Sequence, residues 1–240
     1  MKIAVYDSGL GGLWVLYSLI NNYPNHEYLY LGDQKNAPYG SKNKEGLLRI
    51  IENNFIWLKK QGVDKIVVAC NTACSIGALS IEVDGVDIEG IIDKTTQQIN
   101  TTSYQRILVL ATPLTISNGV YQKNLKTQNN EVVGLALDEL VEMLENQVDY
   151  TLIQNYLSKV FSTLDFEPDA IVLGCTHYPF VQKMIESFYH VPIFNSNHLS
   201  FEFSKDTMSK LSIYTSKDVK KFELEIKNLF GREEKVFLKE

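Results

Sequence analysis

The stretch Val67-Val68-Ala69-Cys70-Asn71-Thr72-Ala73-Cys74-Ser75 decides the fold class of this chain. The apolar, β-branched run from Ile66 to Val68 predicts a buried strand. The small polar residues after Cys70 suit the first turn of a helix. Because ligands of open α/β sheets bind beyond the carboxyl ends of the strands, Cys70 stands where the chemistry of such a protein usually takes place.

The same design returns in Asp169-Ala170-Ile171-Val172-Leu173-Gly174-Cys175-Thr176-His177, where an apolar run again ends at a cysteine. Two pairs of similar segments are separated by nearly the same number of residues. Residues 2–8 resemble residues 106–112, and residues 63–70 resemble residues 168–175, at offsets of 104 and 105 residues. This repeat predicts a duplicated half, with one cysteine at a strand end in each copy.

Composition places the chain among ordinary globular proteins. It has 240 residues, of which 45 % are hydrophobic and 11 % aromatic, enough for one large or two small domains with a real core. The net charge of −6 argues against a nucleic-acid partner, which needs a basic surface. No apolar run reaches the length of a membrane span. Three cysteines are too few for a disulfide framework, so we expect a reduced, soluble, cytoplasmic protein.

Predicted strands and helices alternate along the chain. Short apolar runs predict the strands, and apolar residues at helical spacing predict helices between them. The predicted strands cover residues 3–6, 28–31, 66–68, 88–92, 106–112, 171–173, 213–215 and 236–237. This alternation predicts an α/β fold in which parallel sheets are covered by helices on both faces.

Cys70 and Cys175 are the candidate catalytic groups. Cysteine is often only a small buried hydrophobe, and Cys74 suits that description because it lies on the predicted helix. A thiol at a helix start has its pKa lowered toward neutrality, which would make the two strand-end thiols usable as general bases. His177 is within reach of Cys175, and Asp7 is the corresponding acidic group near the other thiol. His177 also suits a local role as a helix cap, and Asp7 suits a local role as a turn former.

Two other chemistries are less well supported. The three cysteines and His177 are zinc ligands by type, but the Cys-x-His spacing is poor for a tetrahedral site, so we expect no metal. The glycine-rich turn Asp7–Gly12 could cradle a phosphate, yet Trp14 occupies the position of the third glycine of a dinucleotide fingerprint. We therefore expect a tight turn that places Asp7 and Ser8 at a strand end.

Five segments together resemble the glutamate racemase family, part of the cofactor-independent aspartate/glutamate racemase superfamily. They are Asp7-Ser8-Gly9-Leu10-Gly11-Gly12, Gly32-Asp33 with Pro38-Tyr39-Gly40, Ala69-Cys70-Asn71-Thr72-Ala73, Ala111-Thr112-Pro113-Leu114-Thr115-Ile116 and Gly174-Cys175-Thr176-His177-Tyr178-Pro179. They follow one another at family-like spacing over residues 3–195. The histidine after Cys175-Thr176 favours the glutamate branch over the aspartate branch.

The resemblance implies two similar parallel-sheet α/β domains related by pseudo-twofold symmetry, with the active site between them. Residues 1–93 with 206–240 would form the first domain and residues 94–205 the second. The implied enzyme interconverts L- and D-glutamate by two-base proton transfer at the α-carbon, without a cofactor, and supplies D-glutamate for peptidoglycan. Its expected partner is the small molecule glutamate, with no nucleic acid, membrane or metal. A homodimer is one assembly that the sequence allows.

The resemblance also implies roles for individual residues. Cys70 and Cys175 would be the acid/base thiols on opposite faces of the substrate α-carbon, assisted by Asp7 and His177 respectively. The residues implied to hold the amino acid are Ser8, Pro38, Tyr39, Gly40, Asn71, Thr72, Thr112, Thr115, Glu145 and Thr176.

The chain departs from the family pattern at several positions. Lys94-Thr95 stand where family members usually carry Pro-Gly, and Gln34 stands where threonine is usual. A segment of the second half is more charged than usual, with Asp138, Glu139 and Glu142. These departures leave open a related racemase for aspartate or of broad specificity, and a non-catalytic paralogue that only binds an amino acid.

Overall fold

Strands and helices alternate through the chain, as the sequence predicts. A computed structural model describes residues 1–100, 103–127, 129–199, 201 and 210–240. The strands are β1 (Lys2–Asp7), β2 (Glu27–Gly32), β3 (Lys65–Val68), β4 (Asp87–Gly90), β5 (Arg106–Ala111), β6 (Glu131–Ala136), β7 (Ala170–Gly174), β8 (Ile193–Phe194), β9 (Lys210–Thr215) and β10 (Val236–Leu238). The helices are α1 (Leu13–Asn22), α2 (Lys44–Lys60), α3 (Asn71–Ser75), α4 (Ile91–Asn100), α5 (Pro113–Asn118), α6 (Val120–Leu125), α7 (Leu140–Glu145), α8 (Tyr150–Phe161), α9 (Gln182–Phe188) and α10 (Val219–Phe230). Short 3₁₀ turns cover Tyr39–Ser41, Ala78–Ser80, Tyr178–Val181 and Ser196–His198.

Two parallel sheets organise the molecule. The larger has six strands in the order β10-β9-β2-β1-β3-β4, and the smaller has four in the order β6-β5-β7-β8. The pairings between the described strands are all parallel. The order β2-β1-β3-β4 in the first sheet matches β6-β5-β7-β8 in the second. The predicted α/β class with two similar parallel-sheet domains is confirmed.

Central strands are buried on both faces, which explains their unbroken apolar sequences. In β1, Ile3, Ala4 and Val5 are fully buried between the neighbouring strands β2 and β3. Such burial favours continuous β-branched and apolar runs over alternating ones. The chain's last two strands extend this sheet, since β9 pairs with β2 and β10 pairs with β9. The C-terminal strands therefore belong to the same sheet as the N-terminal strands.

The strand predicted over residues 88–92 is shorter in the structure, because β4 ends at Gly90 and α4 begins at Ile91. Conversely, β9 begins at Lys210, before the predicted residue 213, and the sequence does not predict β6 or β8. Ile91 and Ile92 are buried on a helix, and a short apolar run does not distinguish strand from buried helix. The predicted domain boundary at residues 93 and 94 falls inside α4. The boundary at residues 205 and 206 lies outside the described residues, and the exact boundaries stay a prediction.

An aromatic cluster joins the two domains. Trp14 of α1 lies with its ring centroid 5.6 Å from that of Phe180, which follows β7, and 5.0 Å from that of Phe230 in α10. The rings of Phe180 and Phe230 are 5.5 Å apart. Tilted and edge-on ring contacts of this kind add to the hydrophobic stabilisation.

Within the described residues, no helix has the length and apolar character of a membrane span.

Candidate active site

Strand ends from both sheets open into one pocket. Ser8 follows β1, Cys70 follows β3, Thr112 follows β5 and Cys175 follows β7, and all four line this pocket. Its volume is about 140 Å³. The carboxyl ends of parallel strands are where α/β proteins bind ligands. Here two such edges face each other, so the pocket lies between the two domains, where the resemblance implies the active site.

Most of the predicted site residues meet at this pocket. Those that line it are Ser8, Pro38, Tyr39, Gly40, Cys70, Asn71, Thr72, Thr112, Cys175, Thr176 and His177. Asp7, Thr115 and Glu145 lie behind its wall and contact residues that line it.

Five further residues line the pocket without having been predicted to do so: Ser41, Pro113, Asp138, Val141 and Glu142. Ser41 and Pro113 adjoin predicted residues in the sequence. Asp138 and Glu142 belong to the segment whose charge departs from the family pattern, which is a signal that could have marked them. Val141 is an apolar residue of a helix, and nothing in the sequence around it distinguishes it from a core residue.

The Cys70 thiol is buried at the start of α3. Its side chain is 4 % exposed, and the sulfur lies 3.7 Å from Ser8 Oγ as a hydrogen-bond donor. Burial raises the pKa of Cys70 well above its usual value, and the nearby Asp7 carboxylate raises it further. The expected lowering of the pKa of this thiol is therefore wrong. Loss of solvation outweighs the influence of a helix of five residues.

The Cys175 thiol has a histidine partner. Its sulfur lies 3.9 Å from His177 Nδ1, and His177 Nε2 lies 3.0 Å from Glu145 Oε1. Burial lowers the pKa of His177, but the hydrogen bonds to Cys175 and Glu145 outweigh it, so the pKa rises well above the usual value. An imidazolium between a sulfur and a carboxylate is thus favoured. Glu145 contacts His177 here, and its contact with the substrate stays a prediction.

Asp7 connects the first domain to the second. Its side chain is fully buried, and Oδ2 accepts hydrogen bonds from the Gly12 amide and from Thr176 Oγ1, the latter at 3.1 Å. Burial raises the pKa of Asp7, and the charge of His177 opposes this rise. Asp7 was expected to assist Cys70. It influences the pKa of that thiol through its charge, while its hydrogen bond across the interface goes to the residue beside Cys175.

Side-chain donors are arranged around the thiols. The Tyr121 hydroxyl donates to Asn71 Oδ1 at 2.6 Å, which leaves Asn71 Nδ2 as a buried donor without a partner among the described residues. The hydroxyls of Thr72 and Thr112 lie 2.9 Å apart across the two domains, and Thr115 lies 2.9 Å from Thr112. Buried donors of this kind suit a carboxylate ligand, because leaving them unpaired costs free energy.

A buried network holds Tyr39 at the pocket. The Tyr39 hydroxyl donates to Asp33 Oδ2 at 2.6 Å and is hydrogen-bonded to the Tyr6 hydroxyl. Asn54 donates to the same Asp33 oxygen at 3.0 Å, and Ser216 donates to the other at 2.7 Å. Asp33 is 1 % exposed. It therefore ties the loop that carries Tyr39 to α2 and to the segment after β9.

Glycines allow the two domains to approach at the pocket. A Cβ atom at Gly11 would lie 2.6 Å from the Thr176 carbonyl carbon, and one at Gly40 would lie 2.7 Å from Thr112 Cβ. Neither distance is sterically possible for a real side chain. The glycine-rich turn after β1 thus allows close packing against the second domain.

Comparison with known proteins agrees with this geometry. A sequence model of the Asp/Glu/Hydantoin racemase family matches residues 26–203. The chain belongs to this family. The glutamate racemase of Aquifex aeolicus is 33 % identical, over 97 % of this chain and 95 % of that protein. The glutamate racemase of Clostridium acetobutylicum is 38 % identical, over 81 % and 79 %. The crystal structure of a glutamate racemase isoform from Bacillus anthracis gives a TM-score of 0.92 at 26 % identity, covering 100 % of this chain and 97 % of that one.

The predicted resemblance and the predicted racemase class are confirmed by these relatives. Two departures from the family pattern lie away from the pocket of this racemase. Gln34 donates to Glu225 at 3.0 Å, and Lys94 pairs with Glu89 at 2.6 Å. Neither is among the residues that line the pocket.

The third cysteine of the racemase is a core residue. The Cys74 thiol is 7 % exposed and donates to the Val68 carbonyl at 3.3 Å. In the part of the chain that the structure describes, no three His, Cys, Asp or Glu side chains are grouped so as to hold a metal ion. Cys74 therefore serves as a matched reference for the two cysteines that line the pocket.

Proposed function

We propose that this racemase interconverts L- and D-glutamate by proton transfer between Cys70, Cys175 and the substrate α-carbon, without a bound cofactor. The observation that carries the proposal is that both thiols line one pocket, each at the end of the corresponding strand of its sheet, β3 and β7. Relatives named glutamate racemase over most of the chain support glutamate as the substrate.

In the proposed reaction one cysteine acts as a thiolate and removes the α-hydrogen as a proton, so that it becomes a thiol. The other thiol delivers its proton to the opposite face of the α-carbon and becomes a thiolate. One C–H bond breaks and another forms, with no net change in protons or electrons. A pair of general acid/base groups of one chemical type suits a reaction that runs equally in both directions.

The two thiols have different surroundings. The raised pKa of Cys70 favours a thiol, ready to donate a proton. The pKa of His177 is raised, and its Nδ1 lies 3.9 Å from Cys175 Sγ, so the ring can balance negative charge that forms at that sulfur during the reaction. We infer that Cys175 removes the α-proton in one direction of the reaction and that Cys70 removes it in the other.

Hydrogen-bond donors would stabilise the transition state. Negative charge develops on the substrate α-carboxylate as the α-proton leaves, and fixed donors in a buried site stabilise such charge. The Asn71 amide, whose Nδ2 has no partner among the described residues, and the Thr72 hydroxyl, which can accept from Thr112, are available for this role. Donors that match a second carboxylate would reject shorter or neutral analogues, because unpaired buried donors are costly.

The two thiols are tested by substitution. Cys70→Ser and Cys175→Ser should each lower kcat for racemisation of L-glutamate by about a hundredfold or more, the scale of lost general acid/base catalysis. Cys74→Ser is the matched control and should stay within about threefold of the wild type, because a buried cysteine away from the reacting atoms contributes only packing. Polarimetry of the dialysed protein without added cofactor gives the rates. A single variant at Cys70 or Cys175 with full activity would contradict the mechanism.

Isotope labelling distinguishes a mechanism with two bases from a mechanism with a single base. In deuterium oxide, L-glutamate should give D-glutamate with deuterium at the α-carbon from the first turnovers, while the remaining L-glutamate stays largely unlabelled. Equal early labelling of substrate and product would indicate a single base.

Substrate preference is tested by comparing kcat/KM for glutamate, aspartate and alanine. A higher kcat/KM for aspartate or alanine than for glutamate would leave the racemase class intact and overturn the proposal that glutamate is the substrate.

The cellular role follows from the resemblance. We propose a cytoplasmic enzyme that supplies D-glutamate for peptidoglycan and assembles as a homodimer. Rescue of a bacterial strain that requires D-glutamate tests the supply, and light scattering of the purified protein tests the dimer. Growth without D-glutamate is the expected result for the wild type, whereas the Cys70→Ser variant should not restore growth.

A further inference from the structure

Four consecutive residues, 38–41, form one wall of the pocket between the two domains. We call them the wall segment. Its fit is close, because a Cβ atom at Gly40 would lie 2.7 Å from Thr112 Cβ of the second domain. The Tyr39 side chain anchors the segment, since it is 2 % exposed and its hydroxyl donates to Asp33 Oδ2 at 2.6 Å. The position of the wall segment therefore depends on what holds Asp33.

Asp33 is a buried carboxylate surrounded by neutral donors. The side chains that donate to its two oxygens, at 2.6 to 3.0 Å, are those of Tyr39, Asn36, Asn54 and Ser216. The ion pairs seen among the described side chains do not include Asp33. A buried negative charge is stable only when hydrogen bonds and a nearby positive charge offset its loss of solvation. The positive charge must therefore act from beyond the direct partners of Asp33.

Lys239 brings a positive charge to this network. It follows β10, and its backbone amide donates to the Thr215 carbonyl at 2.8 Å. Its ammonium group lies 5.8 Å from the centre of the Trp57 ring and donates to Asn54 Oδ1. Burial lowers the pKa of Lys239, whereas the attraction of the Asp33 carboxylate raises it. The two charges thus act on each other through space.

The Asn54 amide connects Lys239 to the wall segment. Asn54 is 2 % exposed, and its Nδ2 donates to Asp33 at 3.0 Å and to the Tyr6 hydroxyl at 2.9 Å. The Tyr6 hydroxyl is in turn hydrogen-bonded to that of Tyr39. An amide has one accepting side and one donating side. A reversed amide would turn its oxygen toward the Asp33 carboxylate and its NH₂ toward the ammonium group, and both contacts are repulsive. The cation therefore fixes the amide in the orientation that supports Asp33 and Tyr6.

We infer that Lys239 is a positioning residue of the catalytic pocket. Its ammonium group fixes the Asn54 amide and balances the charge of Asp33, and these two groups hold Tyr39 and with it the wall segment. This inference rests on the proposed function and deepens it. Lys239 is not among the residues that line the pocket, and Tyr39 takes no part in the proposed proton transfer. The effect therefore belongs in KM and not in kcat.

Lys239→Met tests the inference by kinetics. Methionine keeps an unbranched apolar side chain beside Trp57 and removes the charge and the donor. We expect KM for L-glutamate to rise about three- to tenfold, the scale of one hydrogen bond to a charged group, with kcat within about threefold. Lys239→Gln keeps a donor without the charge and should raise KM in the same direction.

Lys235→Met is the matched control. Lys235 precedes β10 as Lys239 follows it, and its ammonium group lies 5.1 Å from the centre of the Phe237 ring. This variant removes one positive charge from the same part of the chain and should leave KM unchanged. An unchanged KM in Lys239→Met, or an equal rise in Lys235→Met, would overturn the inference.

A double-mutant cycle shows whether Lys239 acts through Tyr39. Tyr39→Phe removes the hydroxyl that anchors the wall segment. Adding Lys239→Met to Tyr39→Phe should then change KM by less than about twofold, because residues of one network are not additive. Additive effects of the two substitutions would overturn the inference, since they would show that Lys239 acts by a route that does not include Tyr39.

Hydrogen exchange keeps this inference separate from the proposed function. The backbone amides of residues 33–42 should exchange at least about threefold faster in Lys239→Met than in the wild type, because a segment that is held less firmly opens more often. Lys235→Met should exchange like the wild type. This measurement needs no substrate, so unchanged exchange in Lys239→Met would overturn the positioning role regardless of activity. A wild type that does not racemise glutamate would overturn the proposed function, and the exchange rates would still decide the role of Lys239.

Discussion

At residue scale, the charge of His177 depends on two partners at very different distances along the chain. Cys175 lies two residues away, whereas Glu145 comes from the end of α7 and reaches the imidazole at 3.0 Å. Burial alone would favour the neutral ring. The pKa of His177 is nevertheless raised, so we propose that Glu145 is a positioning residue that acts on the reaction through His177.

Glu145→Gln should therefore weaken catalysis most at alkaline pH. Glu145 helps to raise the pKa of His177, so its loss lowers that pKa, and the protonated ring is lost at a lower pH than in the wild type. We expect kcat to fall about tenfold, the scale of a lost charge-assisted hydrogen bond, and the alkaline limb of the kcat profile to move to lower pH. Glu139→Gln, which removes the charge of another carboxylate in the same segment, is the control for the loss of one negative charge. An alkaline limb at the wild-type position would contradict the role of Glu145.

Tyr121→Phe tests the orientation of the Asn71 amide. The Tyr121 hydroxyl, which is lost in this variant, donates to Asn71 Oδ1 at 2.6 Å and thereby directs the free Nδ2. We expect KM for glutamate to rise about three- to tenfold, as for one hydrogen bond to a charged group, with kcat within about threefold. Tyr28→Phe removes another buried hydroxyl, bonded to the Leu19 and Tyr23 carbonyls, and should leave KM unchanged. An effect of Tyr28→Phe as large as that of Tyr121→Phe would indicate general destabilisation.

At the scale of elements, the turn after β1 has to fit against the strand end that carries Cys175. Gly11→Ala would place a methyl group 2.6 Å from the Thr176 carbonyl carbon, which is backbone and has little freedom to move. The two domains must then separate by a fraction of an ångström at the pocket. Since a misplacement of about 1 Å costs on the order of a hundredfold in rate, we expect this smaller shift to lower kcat/KM for glutamate about tenfold.

Gly46→Ala provides the comparison for Gly11→Ala. Gly46 lies in the first turn of α2, and an added Cβ atom there would meet only the Asn43 side chain, at 3.1 Å from Oδ1. This control should keep the wild-type activity and a similar melting temperature. Circular dichroism of both variants should show the native content of helix and strand. Wild-type activity in Gly11→Ala would show that the domains do not need this close approach.

At the scale of the whole molecule, aromatic packing supports the relative position of the two domains. Phe180 belongs to the second domain, and its ring contacts those of Trp14 and Phe230 in the first. Phe180→Ala should lower the free energy of unfolding by about 2 kcal/mol, less than for a fully buried ring because Phe180 is only half-buried. It should also lower kcat/KM, since the pocket is formed by both domains. Urea unfolding and initial rates measure the two effects.

Phe237→Ala is the reference for this experiment. Phe237 is 39 % exposed and lies on β10, at the far edge of the larger sheet. Its removal should cost less than 1 kcal/mol and leave kcat/KM unchanged. Equal losses of stability in the two variants would show that the interdomain cluster contributes no more than an ordinary exposed ring.

Much of the site was predictable because its residues follow strand ends. Apolar runs locate β3 and β7 by local pattern alone, and the residues after them, Cys70 and Cys175, then lie at one edge of each sheet. Asp138 and Glu142 could not be placed in the same way. They come from the segment around the start of α7, and nothing in their local pattern indicates how close that helix lies to the pocket.

The sequence by itself determined the α/β class, the repeat of one half in the other and the presence of a thiol at each matching strand end. These depend on local periodicity, which the chain carries whatever its surroundings. Only the tertiary structure decided the charge of the groups at the pocket. The pKa of Cys70 is raised, contrary to the expectation from its helix start, because burial removes its solvation and Asp7 adds a like charge. Desolvation and charge act through space, and both are set by residues far apart in the chain.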